Sequence, residues 1–402
     1  MTFPSEVPDL AQPWRSVSFT DASLAIANDE LWDRVPMQVE DLKGGTDGWA
    51  TAYSGHQFGH FNPVLGDGRA LMLEETADGR EVQLKGSGPT PFSRGGDGFG
   101  TLGSMVREYI VSEVMHAAGI PTTRIAAVIR TGEDITRNGR REPGGIAVRV
   151  AGSHVRVGTF QFARLLDEHR GEQSEHDPVL PQLVHYTARK IGYLADSPAA
   201  QIFKHVVSTQ ASLIAKWMRV GFVHGVMNTD NMAISGETID YGPCAFVDSF
   251  DPSAKFSSID TAGRYAFGQQ PTIAMWNIAR LGEALCGELL DVDEATAILH
   301  TFPDLYQAAL AEEFGGPLPE EGVDLRQWWR ENGADEDHGA HSNVDSVPAI
   351  PRNYEIENAV EAATDGDVSV AQGLVASVKE KKWQDPGPPE ESAGPYVTYC
   401  GT

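Results

Sequence analysis

The sequence predicts an α+β fold of two lobes, a β-rich N-lobe and a mainly helical C-lobe with N- and C-terminal extensions. Three patterns predict it: a strand-turn-strand signature ending at Lys85, an amphipathic helix followed by two more strand-like runs, and long helical periodicities in the second half. With 402 residues the chain exceeds one simple core and suits a two-lobed body. Its 41% hydrophobic and 22% charged residues are the balance of a globular protein.

Residues 1–49 mix acids, prolines and scattered apolar positions and read as an irregular leader, an N-terminal extension over 1–50. From Ala70, Ala-Leu-Met-Leu-Glu-Glu, the turn Ala77-Asp78-Gly79-Arg80 and Glu-Val-Gln-Leu-Lys predict a hairpin. After a glycine-rich loop, Met105, Ile110, Val111, Val114 and Met115 recur at helical spacing and predict a helix over 104–118, stopped by Gly119 and Pro121. Strand-like runs at 125–130 and 146–151 complete an N-lobe assigned to 51–160. The charge-dense stretch 164–177 reads as a solvated connection. A helix over 198–219 is the expected centre of a C-lobe assigned to 161–300, with short strands at 232–234 and 238–241 and a helix near 272–290. Residues 301–402 read as a helical or irregular extension, rich in Gly, Pro and acids between 312 and 353.

The formal charge of −26 argues against nucleic acid or an anionic membrane as partner, so any phosphate site must be basic locally. Three cysteines, Cys244, Cys286 and Cys400, fall at no metal-ligand spacing and form no disulfide framework. With no basic apolar leader and no apolar run of about 18 residues, the expected location is the cytoplasm.

The chemistry concentrates in a few strings. Gly66-Asp67-Gly68-Arg69 offers free amides and a guanidinium to phosphate, although the same residues suit an ordinary tight turn. Lys85 at a strand end and Glu108 on the next helix stand in the order in which kinase-like lobes place a nucleotide lysine and its orienting carboxylate; two surface residues are the plainer alternative. The loop between them, Gly86 to Gly100, is a candidate nucleotide or substrate loop in which Arg94 would neutralise phosphate and Asp97 with Gly98 would touch a nucleotide, or else a flexible linker. Arg149 and Arg156 suggest a polyphosphate clamp, surface ion pairs being the alternative.

The sharpest signal is His224-Gly-Val-Met-Asn-Thr-Asp-Asn231 followed by Ile239-Asp240-Tyr241-Gly242. Kinase-like catalytic loops run His-x-Asp, four residues, Asn, and later a metal-binding Asp near glycine. Asn231 and Asp240 take the metal-ligand places and predict a protein-kinase-like bilobal fold. The usual base position, however, is Val226, which accepts no proton. Asp230 is the candidate displaced base, with a turn-capping role as the alternative, and His224 reads as structural.

Taken together, Tyr53-Ser-Gly-His-Gln-Phe-Gly59, Leu65-Gly-Asp-Gly-Arg69, Gln83-Leu-Lys-Gly-Ser-Gly-Pro-Thr-Pro-Phe-Ser-Arg94, Gly119-Ile-Pro-Thr-Thr-Arg124, Arg149-Val-Ala-Gly-Ser-His-Val-Arg156, Gly221-Phe-Val-His-Gly-Val-Met-Asn-Thr-Asp-Asn-Met232 and Ile239-Asp-Tyr-Gly-Pro243 resemble the selenoprotein O family, known in bacteria as YdiU. The resemblance covers about 53–290, and Tyr399-Cys400-Gly401-Thr402 is similar to that family's ending. It implies a pseudokinase fold that binds ATP flipped and, with Mg²⁺ or Mn²⁺, transfers AMP to Ser, Thr or Tyr of protein substrates, releasing pyrophosphate. Carried over, Gly66, Gly68 and Arg69 touch the nucleotide, Lys85 holds phosphate with Glu108 orienting it, and Asp97 and Gly98 contact the flipped nucleotide. Arg149 and Arg156 lie in the phosphate pocket, Asp230 accepts the proton, and Asn231 and Asp240 bind metal, Asp240 also belonging to the ATP site. The chain departs from the family in one place: members often carry a cysteine after the metal aspartate that pairs with the C-terminal one, where Phe256 stands here. Cys244 is the remaining conceivable partner of Cys400. The chain also reads as short between Phe160 and Pro198. Alternatives are uridylylation from UTP with Mn²⁺, a conventional kinase using Asp230, and a non-catalytic nucleotide-binding scaffold.

Overall fold

Short strands rich in buried aliphatic residues dominate the first 151 positions. They are, in the computed structural model, β1 (Ala11–Arg15), β2 (Ser23–Ala27), β3 (Asp47–Thr51), β4 (Gly55–Gln57), β5 (His60–Asn62), β6 (Ala70–Glu75), β7 (Glu81–Lys85), β8 (Gly100–Thr101), β9 (Arg124–Arg137) and β10 (Arg140–Ala151). The structure describes residues 2–137, 139–171, 176–193, 197–332, 349–388 and 396–398. Apart from the separate β4–β5 hairpin, the strands form one eight-stranded sheet in the order β1-β3-β6-β7-β10-β9-β2, with β8 also on β10. Its pairings are antiparallel.

Helices take over afterwards. Short α1 (Phe3–Glu6) and α2 (Val39–Lys43) accompany the first strands, and α3 (Leu102–Ala117) crosses the sheet. Beyond the sheet come α4 (Val157–Arg170), α5 (Val179–Lys190), α6 (Pro198–Val220), α7 (Gln270–Leu285), α8 (Val292–Leu299), α9 (Phe302–Phe314), α10 (Leu325–Asn332), α11 (Asn353–Thr364) and α12 (Ser369–Lys379), with a two-stranded pair β11 (Phe222–Val223) and β12 (Ala245–Phe246) after α6. The protein is thus a mixed α+β structure, antiparallel sheet first and helices after.

The sheet is buried on both faces. One face presents Leu71, Leu73, Val82, Leu84, Ile129, Ile146 and Val148 to Phe19 and Leu42. The other packs on α3, whose Leu102, Val106, Ile110 and Val114 are wholly buried and join a core that continues into α6 and β11. At about 1.5 to 3 kcal/mol per buried large aliphatic side chain, this face fixes α3 against β9 and β10, the latter the neighbour of the strand that carries Lys85. α3 starts where Thr101 Oγ1 accepts the amide of Ser104 at 3.1 Å. α6 starts with Pro198 and ends at Gly221, whose φ of 71° is the left-handed cap that glycine supplies.

The predicted hairpin and the helices expected at 104–118, 198–219 and 272–290 are present as β6–β7, α3, α6 and α7. Other expectations need correction. Residues 1–50 are no irregular leader, because β1, β2 and β3 are integral strands of the main sheet; the sequence hides them behind Pro13 and polar edge positions. The stretch taken for a solvated connection from 164 is helical to Arg170, its charges lying on the outer face of α4. The strands expected at 232–234 and 238–241 are only single bridges, Arg156 with Ala233 and Thr122 with Thr238. The Gly- and acid-rich stretch after 312 contains α10, with Trp329 buried. Cys244 is a buried free thiol that burial pushes up to about 12, whereas Cys400 and its family-like ending fall outside the described residues. Among the described residues no helix is long and apolar enough to cross a membrane.

Candidate functional site

The sheet and the segment after α6 enclose a cavity of about 300 Å³. Gly66, Gly68, Arg69, Lys85, Asp97, Gly98, Arg149, Arg156, Asp230, Asn231 and Asp240 all line it, although they are spread over 175 positions of sequence; Glu108 stands immediately behind. Among the nominated residues, then, the fold separates none from the rest.

Lys85 is the last residue of β7, so its side chain leaves the sheet toward the helical half. Its Nζ donates to Glu108 Oε2 and to Asp240 Oδ1, each at 2.6 Å. Arg149 stands opposite Gln83 in the β7–β10 register, donates to the Gln83 amide oxygen and reaches Glu108 Oε1 at 3.3 Å. One glutamate therefore orients two cations, and all three side chains are at least nine-tenths buried. Burial alone would raise the Asp240 carboxyl, but Lys85, by charge and hydrogen bond, with Arg69 and Arg149 holds it well below the usual carboxylate range. Asp240 also has a φ of 70°, a left-handed conformation that a non-glycine residue keeps only under constraint.

The second cluster surrounds Asp230. Thr229, Asp230 and Asn231 form a short 3₁₀ turn that Asn228 precedes; the β4–β5 hairpin grips it through the His56 amide, which donates to Thr229 Oγ1 at 2.8 Å, and Tyr265, from outside the hairpin, donates to Asn228 Oδ1 at 2.6 Å. Arg156 donates to the Asp230 carbonyl at 3.2 Å, lies 4.4 Å from the Tyr53 ring centroid, and approaches Asp67 at 3.7 Å. Burial pushes the Asp230 carboxyl up to about 6; its own backbone, Arg156 and Gln57 pull down, while Asp240 adds to the rise. Its Oδ1 is buried without a hydrogen-bond partner. A carboxylate poised near neutrality with one unspent oxygen is what a general base requires.

At the base position of the kinase pattern stands Val226, 4% exposed and without a proton-accepting atom. His224 is structural: Nε2 pairs with the Ile239 carbonyl at 2.9 Å, its ring stacks on Trp217, and burial lowers its pKa.

The glycines are close approaches. A Cβ at Gly66 would fall 2.3 Å from the Phe92 ring, with φ at 65°, and one at Gly98 would fall 2.2 Å from the Gly88 carbonyl carbon. Asp97 faces the cavity but already accepts two hydrogen bonds from Arg137, both at 2.7 Å. Arg94, nominated in the loop before α3, lines it as well; so do Tyr53, Gln57, Asp67, Phe92 and Arg137, to which sequence reasoning gave no role. For Asp67 the signal was there, an acid inside a Gly-x-Gly turn; it accepts from Thr51 Oγ1 at 2.6 Å and Gln83 Nε2 at 3.0 Å, tying that turn to two strands.

Among the described residues no group of three or more His, Cys, Asp or Glu side chains gathers to cage a metal. The donor set nevertheless fits a hard cation that arrives with phosphates. Asn231 Nδ2 is tied to the Val226 carbonyl at 3.1 Å, which leaves its amide oxygen as the accepting end, and Asp240 supplies a carboxylate in the same cavity.

A model of the family described as "Protein adenylyltransferase SelO" matches residues 14–319. A curated relative, "Protein nucleotidyltransferase YdiU" of Rhodococcus jostii, is 40% identical over 495 aligned positions that span all of this chain and 94% of the relative. Proteins of the same name from Mycolicibacterium smegmatis and Anoxybacillus flavithermus are 40% and 43% identical, over 100% and 92% of this chain and 97% and 87% of their own. Since 402 residues are spread over 495 positions in the first alignment, that relative has segments this chain lacks. With a match across most of its length and this identity to full-length relatives, the chain belongs to the protein adenylyltransferase SelO family.

Proposed function

We propose that this nucleotidyltransferase moves AMP from ATP to Ser, Thr or Tyr hydroxyls of proteins, in a kinase-like bilobal frame of N-lobe 51–160 and C-lobe 161–300, with residues 1–50 adding strands to the N-lobe sheet and 301–402 following the C-lobe. The observation that carries the reading is Asp230: a buried carboxyl pushed up to about 6, with an unpartnered oxygen, in the cavity that also holds Lys85, Arg149, Arg156 and Asp240. The kinase base is gone at Val226 and another acid stands ready beside Asn231.

In this reading ATP lies flipped, with its α-phosphate toward Asp230. The Gly66 and Gly68 amides are not free, since they donate to the Tyr53 and Gly66 carbonyls at 3.1 and 2.9 Å; the two glycines instead let the backbone come close to the phosphates, Arg69 brings a guanidinium, and Asp97 and Gly98 meet the remainder of the nucleotide. Lys85, oriented by Glu108, and the Arg149 and Arg156 guanidinia stabilise charge as it moves onto the leaving group. Asp230 takes the proton of the attacking hydroxyl; the oxygen bonds to the α-phosphorus, the α–β bridging bond breaks, and pyrophosphate departs. Asn231 and Asp240 would hold a divalent cation, Mg²⁺ or Mn²⁺, which supplies neutralisation of phosphate charge. The free thiols of Cys244 and Cys286 suit a cytoplasmic setting.

Incubation of the purified protein with Mg²⁺ or Mn²⁺ and either α-³²P-ATP or γ-³²P-ATP tests the reading. Label from the α position alone, absent in Asp240→Ala, is expected. Label from the γ position would instead establish a kinase, and no label from either would leave a nucleotide-binding scaffold.

A further inference from the structure

The β4–β5 hairpin has two faces with different neighbours. On one, a Cβ at Gly55 would fall 2.4 Å from Asp230 Oδ1, and the Gln57 amide bonds the same carboxyl group. His56 lies between them and, by the alternation of a strand, turns the other way. Its ring is 4.7 Å from that of Phe61 on β5 and 5.0 Å from that of Trp276 on α7, and its Nδ1 is 3.2 Å from Gln161 Nε2 of α4. Trp276 in turn carries two guanidinia: Arg264 Cζ and Arg280 Cζ each lie 4.8 Å from its ring centroid. A Cβ at Gly59 would fall 3.5 Å from Arg264 Cζ, which puts that guanidinium against the hairpin turn.

Positive charge predominates here in a chain whose acids outnumber its lysines and arginines 57 to 31. Residues 55–62 contain no acid, and residues 261–282 contain Arg264 and Arg280 but no Asp or Glu. Asp260, just before that loop, spends one oxygen on the Arg264 amide and the other on the Tyr265 amide, at 2.9 and 2.8 Å. Arg264 meets the Tyr265 ring and hydroxyl and, among the described residues, no carboxylate. Arg280 pairs with Glu283 at 2.6 Å, but the glutamate is 62% exposed and the arginine 25%, so the pair is a surface contact that a ligand can displace. Burial lowers the His56 pKa, and the charges of Arg280 and Arg264 lower it further, so both arginines are felt at the hairpin. Trp276, Arg264 and Arg280 are all partly exposed, and Phe61 is 43% exposed beside them.

We propose, resting on AMP transfer to protein hydroxyls as read above, that Arg264 and Arg280 on Trp276 dock an Asp or Glu side chain of the protein substrate, near the hydroxyl presented to Asp230. Planar guanidinia held flat on an indole are preorganised for a carboxylate, and Phe61 supplies apolar contact to the residues around it. The two faces of the hairpin are one layer apart, about 10 Å or about three residues of extended chain. Tyr265 ties the two places together, its ring beside Arg264 and its hydroxyl donating to Asn228 Oδ1 at 2.6 Å, two residues before Asp230.

Fluorescence anisotropy of the full chain with fluorescein-labelled peptides tests the docking apart from the chemistry. The peptides carry one Ser among neutral residues, with Asp, Lys or Ala at the flanking positions. The Asp peptide is expected to bind about tenfold more tightly than the Lys and Ala peptides. Arg280→Glu should reverse the order of the Asp and Lys peptides, whereas Glu283→Gln, which frees Arg280, should tighten the Asp peptide by about threefold. Both changes lie at the surface and outside the ATP cavity, so melting temperature and ATP affinity should hold. With α-³²P-ATP and Mn²⁺ added, label on the peptides should follow the same order. Equal binding of the three peptides, or an Asp preference that survives Arg264→Ala combined with Arg280→Glu, would overturn the docking site. Asp-selective binding lost in those variants, but with no label on any peptide, would uphold the docking site and count against AMP transfer.

Discussion

At the scale of single residues the decisive contrast is between two aspartates in one cavity. Asp240 is held ionised by Lys85, whereas Asp230 keeps its proton to about pH 6 because burial outweighs the Arg156 charge. Two consequences follow from the direction of the second shift. Only the ionised form accepts a proton, so single-turnover transfer should rise as pH passes through about 6 and level off above it, and a profile flat from pH 5 to 8 would remove Asp230 from the role of base. Stability runs the other way. The folded carboxyl has the higher pKa, so the contribution it makes to folding is present below the unfolded value of 3.8 and lost as pH rises through about 6. Asp230→Asn should therefore slow transfer by about 10² to 10⁴-fold. The same change should leave ATP affinity nearly unaltered and raise unfolding free energy at pH 7.5 by roughly 2 to 3 kcal/mol, a gain that vanishes near pH 4 in denaturant titrations.

At the scale of elements, two devices set the site. The first is the β7–α3–β10 triangle, in which Glu108 orients both Lys85 and Arg149. Glu108→Ala removes the one carboxylate shared by two buried cations and should destabilise the protein by about 3 to 5 kcal/mol, read from urea unfolding. The second is the contact of α4 with the β4 hairpin, where a Cβ on Gly158 would sit 2.0 Å from the Ser54 carbonyl oxygen and 3.6 Å from the Asp230 Cα. Gly158→Ala should cost about 1 to 3 kcal/mol and displace the Asp230 turn, seen as a kcat loss larger than the change in KM for ATP. These elements differ in how much of them the sequence announces. β6–β7, α3 and α6 carry strong period-2 or period-3.6 patterns and turn or cap residues, and Lys85, Glu108, Asn231 and Asp240 stand at spacings that have a mechanism behind them. Tyr53, Gln57 and Arg137 carry no such sign, because their roles come from long-range packing: Arg137 reaches Asp97 across 40 positions, and the hairpin reaches Thr229 across 173. Nor does alternation betray β1 and β2, which lie at the two ends of the sheet order and leave much of their lengths exposed.

At the scale of the whole molecule, the chain closes on itself around the sheet. β3 lies between β1 and β6, next but one to the strand of Lys85, and Phe3, Val7 and Leu10 before it are buried in the main core. Phe3 packs edge-on against Tyr186 of α5 with centroids 5.2 Å apart, and Asp9 pairs with Arg170 of α4 at 3.0 Å, so the first residues join the sheet half to the helical half. The C-terminal side does the same from behind α3, where Arg107 donates to the Cys244 carbonyl at 2.7 Å and also meets Glu357 of α11. Deleting residues 2–51 would remove three strands of an eight-stranded sheet, uncover β6 as a new edge, and expose the face now covered by Phe19 and Leu42. An appended leader would be dispensable, and its loss would leave the melting temperature within a few degrees. An integral part of the sheet would not be: the truncated chain should show no cooperative thermal transition by near-ultraviolet circular dichroism and no ATP binding, since the turn of Gly66 to Arg69 is anchored through Asp67 to Thr51 of β3.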